Sequence, residues 1–163
     1  MRRLYCLLLV ALLTAGAAGT AAAKTSHAGW PAINGLLKID HSDAGVTYTG
    51  EPTKHNELLG GHGSDTLHAG RVGDVLWGDH NPGGQPTTQV DQINGGAGKD
   101  YIYAGHGRNV IDTGGGADQV HAHFGSGTIR CASTKATIFL SHRSAKHYKL
   151  RGCTHVSYKT LGY

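Results

Sequence analysis

Gly60-Gly61-His62-Gly63-Ser64-Asp65-Thr66-Leu67-His68 returns twice more in recognisable form. The later copies are Gly95-Gly96-Ala97-Gly98-Lys99-Asp100-Tyr101-Ile102-Tyr103 and Thr113-Gly114-Gly115-Gly116-Ala117-Asp118-Gln119-Val120-His121. A glycine-rich turn, an aspartate at position six and an aliphatic residue at position eight recur together. Successive glycines let the backbone turn tightly and aim its carbonyls inward. The residues behind the acid read as a very short strand. Self-similarity at a fixed short period decides the architecture before any other argument, and it points to stacked coils.

The register extends from Gly60 to Arg130. Repeat two is Ala69 to Trp77, with Asp74 and Leu76 in the two key positions. Repeat three runs from Gly78 to Asn94, with Asp91 and Ile93, and carries eight extra residues around a Pro- and Gly-rich turn. Repeat four holds Asp100 and Ile102. Repeat five, Ala104 to Asp112, has Asn109 in place of the acid, followed by Ile111. Repeat six holds Asp118 and Val120. Repeat seven, Ala122 to Arg130, has Gly127 in place of the acid and keeps Ile129. A degenerate copy precedes them, with Asn56 and Leu58.

Gly-Gly-x-Gly-x-Asp-x-aliphatic-x resembles the repeats-in-toxin (RTX), or haemolysin-type, calcium-binding repeat. The whole chain resembles a small secreted repeat protein of the actinobacterial type. That resemblance implies an all-β fold: a parallel β-roll, a right-handed β-solenoid of nine-residue repeats, with short capping strands at each end. It implies calcium as the cofactor and the position-six side chains as its ligands. The implied set is Asp65, Asp74, Asp91, Asp100, Asn109 and Asp118. Backbone oxygens would come from the turns of Gly61, Gly63, Gly70, Gly96, Gly98, Gly105, Gly107, Gly114 and Gly116.

Calcium is a hard cation that takes six to eight oxygens. Each nine-residue unit crosses the molecule once, so two units complete a coil. Copies i and i+2 then stack on one edge, about 4.8 Å apart as neighbouring strands are. One edge stacks Asp74, Asp100 and Asp118, and two complete sites are expected there. The other stacks Asp65, Asp91, Asn109 and Gly127. A site between Asp65 and Asp91 is expected, and a weaker one between Asp91 and Asn109, where an amide brings oxygen without charge. The reading is two complete calcium sites and up to four in all.

Folding and binding are expected to be one event. The interior spine is Leu67, Leu76, Ile93, Ile102, Ile111, Val120 and Ile129. One buried aliphatic side chain, worth about 1.5–3 kcal/mol, serves nine residues that each cost about 1–2 kcal/mol to order. From Glu51 to Ile129 nine acids face four Lys or Arg, a net of −5 that resists compaction without cations. The full chain is +4.

Met1-Arg2-Arg3, the apolar run Leu4 to Leu13 and Ala21-Ala22-Ala23 before Lys24 read as a signal peptide over residues 1–23. The apolar run is short for a spanning helix. The expected location is extracellular, with no membrane span. Cys6 leaves with that segment. Cys131 and Cys153 remain and are expected to form a disulfide in an oxidising compartment. It would contribute about 3 kcal/mol in the chain-entropy model.

Residues 24–59 and 131–163 are expected to cap the array of residues 60–130. Leu36 to Ile39, Val46 to Thr49, Thr137 to Leu140 and His155 to Tyr158 read as short apolar or strand-like stretches. A stacked array needs covered ends to stop end-to-end pairing. Residues 130–163 hold seven Lys or Arg and no acid. They read as an edge-blocking solvated surface or as a patch for an anionic surface polymer. No base-stacking motif accompanies them, so no nucleic-acid partner is expected. The chain is read as a monomer.

His62, His80 and His106 share position three of repeats one, three and five. They are either tolerant outward positions or a ladder for zinc, nickel or copper. His121 and His123 share a strand face. No His-Glu-x-x-His and no Gly-x-Ser-x-Gly occur. Gly95 to Asp100 lacks the Ser or Thr that a phosphate loop needs after its Lys. The chain is read as a binding protein rather than an enzyme. The rival reading is a secreted surface or cell-wall adhesion protein, with calcium as scaffold and the basic tail as its recognition element.

Overall fold

The computed structural model describes residues 29–81, 83–84 and 86–159. The signal segment and Cys6 lie outside the described residues. Thirteen short strands follow one another: β1 (Leu37–Ile39), β2 (Thr47–Thr49), β3 (Glu57–Leu59), β4 (Thr66–His68), β5 (Val75–Trp77), β6 (Val90–Asn94) and β7 (Tyr101–Tyr103). After them come β8 (Arg108–Asp112), β9 (Gln119–Ala122), β10 (Ser126–Arg130), β11 (Thr137–Leu140), β12 (Tyr148–Arg151) and β13 (His155–Ser157).

Alternate strands belong to opposite sheets. The order is β1-β3-β5-β7-β9-β11-β13 in a seven-stranded sheet and β12-β10-β8-β6-β4-β2 in a six-stranded one. Every strand pairing is parallel, as a continuous coil requires. The parallel β-roll expected from the repeat is therefore the observed fold.

The register follows from position eight. Leu58, Leu76, Ile102, Val120 and Ile138 align along the first sheet. Leu67, Ile93, Ile111 and Ile129 align along the second. Each lies inside its short strand, so it points inward while its neighbours point to the other face. All nine are no more than 2% exposed and form one core cluster. The eight-residue insertion does not shift this order, because Leu67 still faces Ile93.

The flanking segments use the same coil. β1, β2 and β3 precede the array in register, and β11, β12 and β13 follow it. β12 is a strand that the sequence pattern did not reveal. Its turn is a single 3-10 turn at Ser144–Lys146 rather than a glycine loop. Ser144 Oγ donates to the Ala122 carbonyl at 2.7 Å and ties that turn to the coil beneath. Cys131 and Cys153 form a disulfide, and Cys131 lies in the core cluster.

The outer face of the seven-stranded sheet carries an aromatic column. Trp77, Tyr103, His121 and Phe139 occupy one register position on successive strands. Their rings stack at 4.6–4.7 Å between centroids. Trp30 folds over Trp77 and Tyr103, and its Nε1 donates to Tyr103 Oη at 3.0 Å. This column gives a thin roll a second apolar layer.

Ile102→Ala, at the centre of the core, is expected to cost about 2–5 kcal/mol. Val110→Ala, on the exposed face at 40% exposure, is expected to change stability by less than about 0.5 kcal/mol. Urea unfolding of both variants in calcium checks the inward and outward assignment.

Candidate metal centre

Position six lies at the base of each turn, where the chain leaves the turn and enters a strand. Asp65, Asp74, Asp91, Asp100 and Asp118 are all 0% exposed. One carboxylate oxygen of each accepts the backbone N–H of the corresponding residue one coil earlier. On one edge Asn56 donates to Asp74 Oδ1 at 2.6 Å, Asp74 to Asp100 Oδ1 at 2.6 Å and Asp100 to Asp118 Oδ1 at 3.0 Å. On the other, Val46 donates to Asp65 Oδ1 at 2.9 Å and Asp65 to Asp91 Oδ1 at 3.0 Å. The two columns expected from the repeat are thus present, each a ladder of backbone amide to carboxylate.

The second oxygens differ. Asp74 Oδ2 accepts the Gly70 N–H across its own turn. Asp65 Oδ2, Asp91 Oδ2, Asp100 Oδ2 and Asp118 Oδ2 are buried and meet no donor in hydrogen-bond geometry. The Gly61 N–H and the Thr113 hydroxyl nonetheless lie close enough to Asp65 and Asp118, respectively, to oppose the rise in their pKa. A buried carboxylate oxygen without donor or cation is costly. Burial pushes the Asp100 carboxyl up to about 8, with the Asp74 N–H opposing and the Asp118 and Asp74 charges adding to the rise. Burial likewise raises Asp91 to about 7, against the Asp65 N–H. Asp65 and Asp118 are also raised, chiefly by burial.

Asparagine at the same position behaves differently. Asn109 Oδ1 accepts the Gly105 N–H at 3.1 Å. Its Nδ2 donates to the Gly105 and His106 carbonyls and to Tyr148 Oη, each at 3.0 Å. Asn56 Nδ2 donates to the Glu51 and Lys54 carbonyls at 3.0 and 2.8 Å. The amide of each Asn therefore satisfies turn carbonyls that, in an Asp turn, remain available to a cation. Tyr148 is in register with Gly127 and reaches Asn109 through the space that glycine leaves.

The predicted turn glycines fall into the same two stacks. Gly70, Gly96 and Gly114 sit on one edge, with Gly98 and Gly116 beneath them. Gly61, Gly63, Gly105 and Gly107 sit on the other. Contact is tightest at Gly116, whose φ is +136° and where a Cβ would collide with the Gly98 carbonyl oxygen. Among the described residues no three side chains of His, Cys, Asp or Glu converge on one point. A cation here would be held by one or two carboxylates and several carbonyls, an all-oxygen set that fits calcium.

The position-three histidines do not gather. His62 Nδ1 lies 3.1 Å from Asp43 Oδ1, His80 Nδ1 contacts the Gly60 carbonyl, and the His106 ring stacks on Phe124. Their spacing in sequence matched, but each ring found a different neighbour. His121 belongs to the aromatic column, where burial and neighbouring His123 push it down to about 4. One acid escaped the pattern. Asp79 is buried beside Asp65 and Asp91, and burial raises it to about 6. An acid at position two, where most copies have glycine, was the signal for it.

Residues 53–79 and 87–129 match the family model described as the RTX calcium-binding nonapeptide repeat (4 copies). The gap between the two matched segments coincides with the insertion. No curated protein and no solved structure matches the chain.

Gly116→Ala is expected to cost at least about 1–3 kcal/mol, from the left-handed backbone alone. Gly115→Ala, with open space at its Cβ, is expected to stay within about 0.5 kcal/mol. Paired thermal melts check this. A second expectation concerns pH in chelator. Asp91 and Asp100 have folded pKa values above the unfolded value of about 3.9. Their contribution to stability is therefore full below about pH 4 and is lost as pH rises through about 7 and 8. The metal-free melting temperature should fall from pH 4 to pH 8, and calcium should abolish that fall.

Proposed function

We propose that this chain, whose array belongs to the RTX calcium-binding nonapeptide repeats, is an extracellular calcium-binding protein that completes its fold on the metal. The observation that carries the reading is the set of four donorless buried oxygens on Asp65, Asp91, Asp100 and Asp118. Calcium supplies two positive charges and takes six to eight oxygens. Bound between turns, it would neutralise carboxylates that burial otherwise holds toward protonation. The chain's own part is to hold those carboxylates rigid through the amide ladder and to present turn carbonyls beside them. Glycine makes that approach sterically allowed.

Asp100 stands between Asp74 and Asp118 and serves both neighbours. The Asp100–Asp118 and Asp65–Asp91 pairs have the stronger support, because both members of each pair carry a donorless oxygen. Asp74–Asp100 is a third site, and the step between Asp91 and Asn109 is the weakest, because the Asn109 amide is already bonded to its own turn and to Tyr148. Residues 1–23 are a secretion signal, 60–130 the metal-binding array, and 24–59 and 131–163 the segments that close its ends. The protein works as a monomer, takes no nucleic acid and catalyses no reaction. No helix among the described residues is long and apolar enough to cross a membrane.

A second reading has one observation in its favour. Arg130 and Arg151 are paired in register beside a groove of about 360 Å³ on the six-stranded sheet. Among the described residues Arg130 has an acidic neighbour in this groove, Asp112 at 3.7 Å, and Arg151 has none within ion-pair distance. An anionic surface polymer would fit there, with calcium serving only the scaffold. Loss of cell-wall binding in an Arg130→Ala, Arg151→Ala double variant that still binds calcium would favour this reading.

Calorimetric titration with calcium tests the main proposal. The wild type is expected to bind two to four ions per chain. Asp100→Asn is expected to lose more bound calcium than Asp65→Asn, because Asp100 faces two sites. Equal losses, or no binding by the wild type, would count against the assignment.

A further inference from the structure

The inserted turn departs from the nonapeptide in its glycines as well as its length. With Asp91 at position six, Asp79 falls at position two and Gln89 at position four. Gly61 and Gly63, Gly96 and Gly98, and Gly105 and Gly107 hold those places in repeats one, four and five. The two replacements are not surface decoration. Asp79 and Gln89 are each 5% exposed.

Their side chains hold each other. Gln89 Nε2 donates to Asp79 Oδ2, and the His106 N–H donates to the same oxygen at 2.8 Å. Each side chain keeps one further oxygen, Asp79 Oδ1 and Gln89 Oε1, buried with no donor. Both residues face the turn of repeat five. A Cβ at Gly105 would collide with the Asp79 carboxylate, and the Gln89 carbonyl accepts the Arg108 N–H at 3.0 Å. In that turn position six is Asn109, which is neutral and already bonded to its own loop and to Tyr148. Repeat five thus brings no charge of its own, and the acids at this step are Asp79 and the neighbouring Asp91 of repeat three. Among the described residues the Asp79 carboxylate has no Lys or Arg partner.

We propose that the insertion builds a calcium site of its own, in which Asp79 and Gln89 present oxygens to an ion between the turns of repeats three and five. The inference rests on the calcium-binding reading above and adds to it a site outside the nonapeptide acid column. Two buried acceptor oxygens without donors, on side chains bonded to each other, need either water or a cation. The uncompensated carboxylate charge favours the cation. The donors are all oxygen, which selects calcium over zinc or copper. His106 contributes a backbone N–H, while its ring stacks on Phe124. The insertion thus supplies the charge that Asn109 removed from this step of the column.

Native mass spectrometry of the purified protein, loaded with calcium and desalted, counts the ions retained. Circular dichroism in saturating calcium checks the fold of each variant. Asp79→Asn is expected to retain one calcium fewer than wild type. Gln89→Glu adds a carboxylate beside Asp79. It is expected to fold in calcium, retain the wild-type number and bind its weakest ion at several-fold lower calcium. Should Asp79→Asn fail to fold, Gln89→Glu decides. Unfolding of Gln89→Glu even in saturating calcium overturns the inference, because no ion then bridges the two carboxylates. An unchanged ion count in Asp79→Asn, with unchanged affinity in Gln89→Glu, shows a water-filled turn and overturns this inference alone. A wild type that retains no calcium overturns the calcium reading as well.

Discussion

A carboxylate buried with one oxygen satisfied and the other not is the constraint on which this molecule is built. Five position-six aspartates are fully buried, and each is held by an amide from the coil before it. That bond keeps the coils in register and fixes where the charge sits. It also leaves four oxygens facing glycine turns with no donor. Protonation or a cation can resolve this, and at neutral pH a cation does so without raising the cost of each charge. The glycines, the short strands and the single aliphatic residue per repeat are all consistent with that requirement. They bring carbonyls near, leave room and add little bulk.

The Asn turns show what the same backbone does without the charge. Asn56 and Asn109 satisfy their own turns with amide hydrogens, so these coils close without help. Asn56 stands at the start of one column. Asn109 stands near the end of the other, where Tyr148 completes the closure. The array is therefore charged in its middle and neutral toward its ends. The coils beyond Arg130 continue the same sheets with a 3-10 turn, a disulfide and no acids at all.

Much of this was legible in the sequence because two signals coincide in every repeat. Glycine fixes the turn and the position-eight aliphatic fixes the inward face, so the register could be written residue by residue. It held even across the insertion. What lacked those signals was less readable. β12 follows a turn made by Ser141 and Ser144 rather than glycine, and its inward residues are Tyr148 and Leu150. The aromatic column of Trp77, Tyr103, His121 and Phe139 arises because position nine faces outward on one sheet. That becomes visible only once alternate repeats are stacked. Asp79 was hidden because the insertion separates it from its own position six. The histidine spacing of repeats one, three and five was real, but side chains on a turn answer to local neighbours rather than to the period.

Amide hydrogen exchange at pH 8, in excess chelator and in calcium, shows whether the carboxylate ladder stands without its metal. The N–H groups of Asp65, Asp74 and Asp100 are the rungs that the buried carboxylates hold. Strong protection of these three amides is expected in calcium, and its loss in chelator. Equal protection in both conditions would contradict it, because the ladder would then stand at neutral charge cost without any metal.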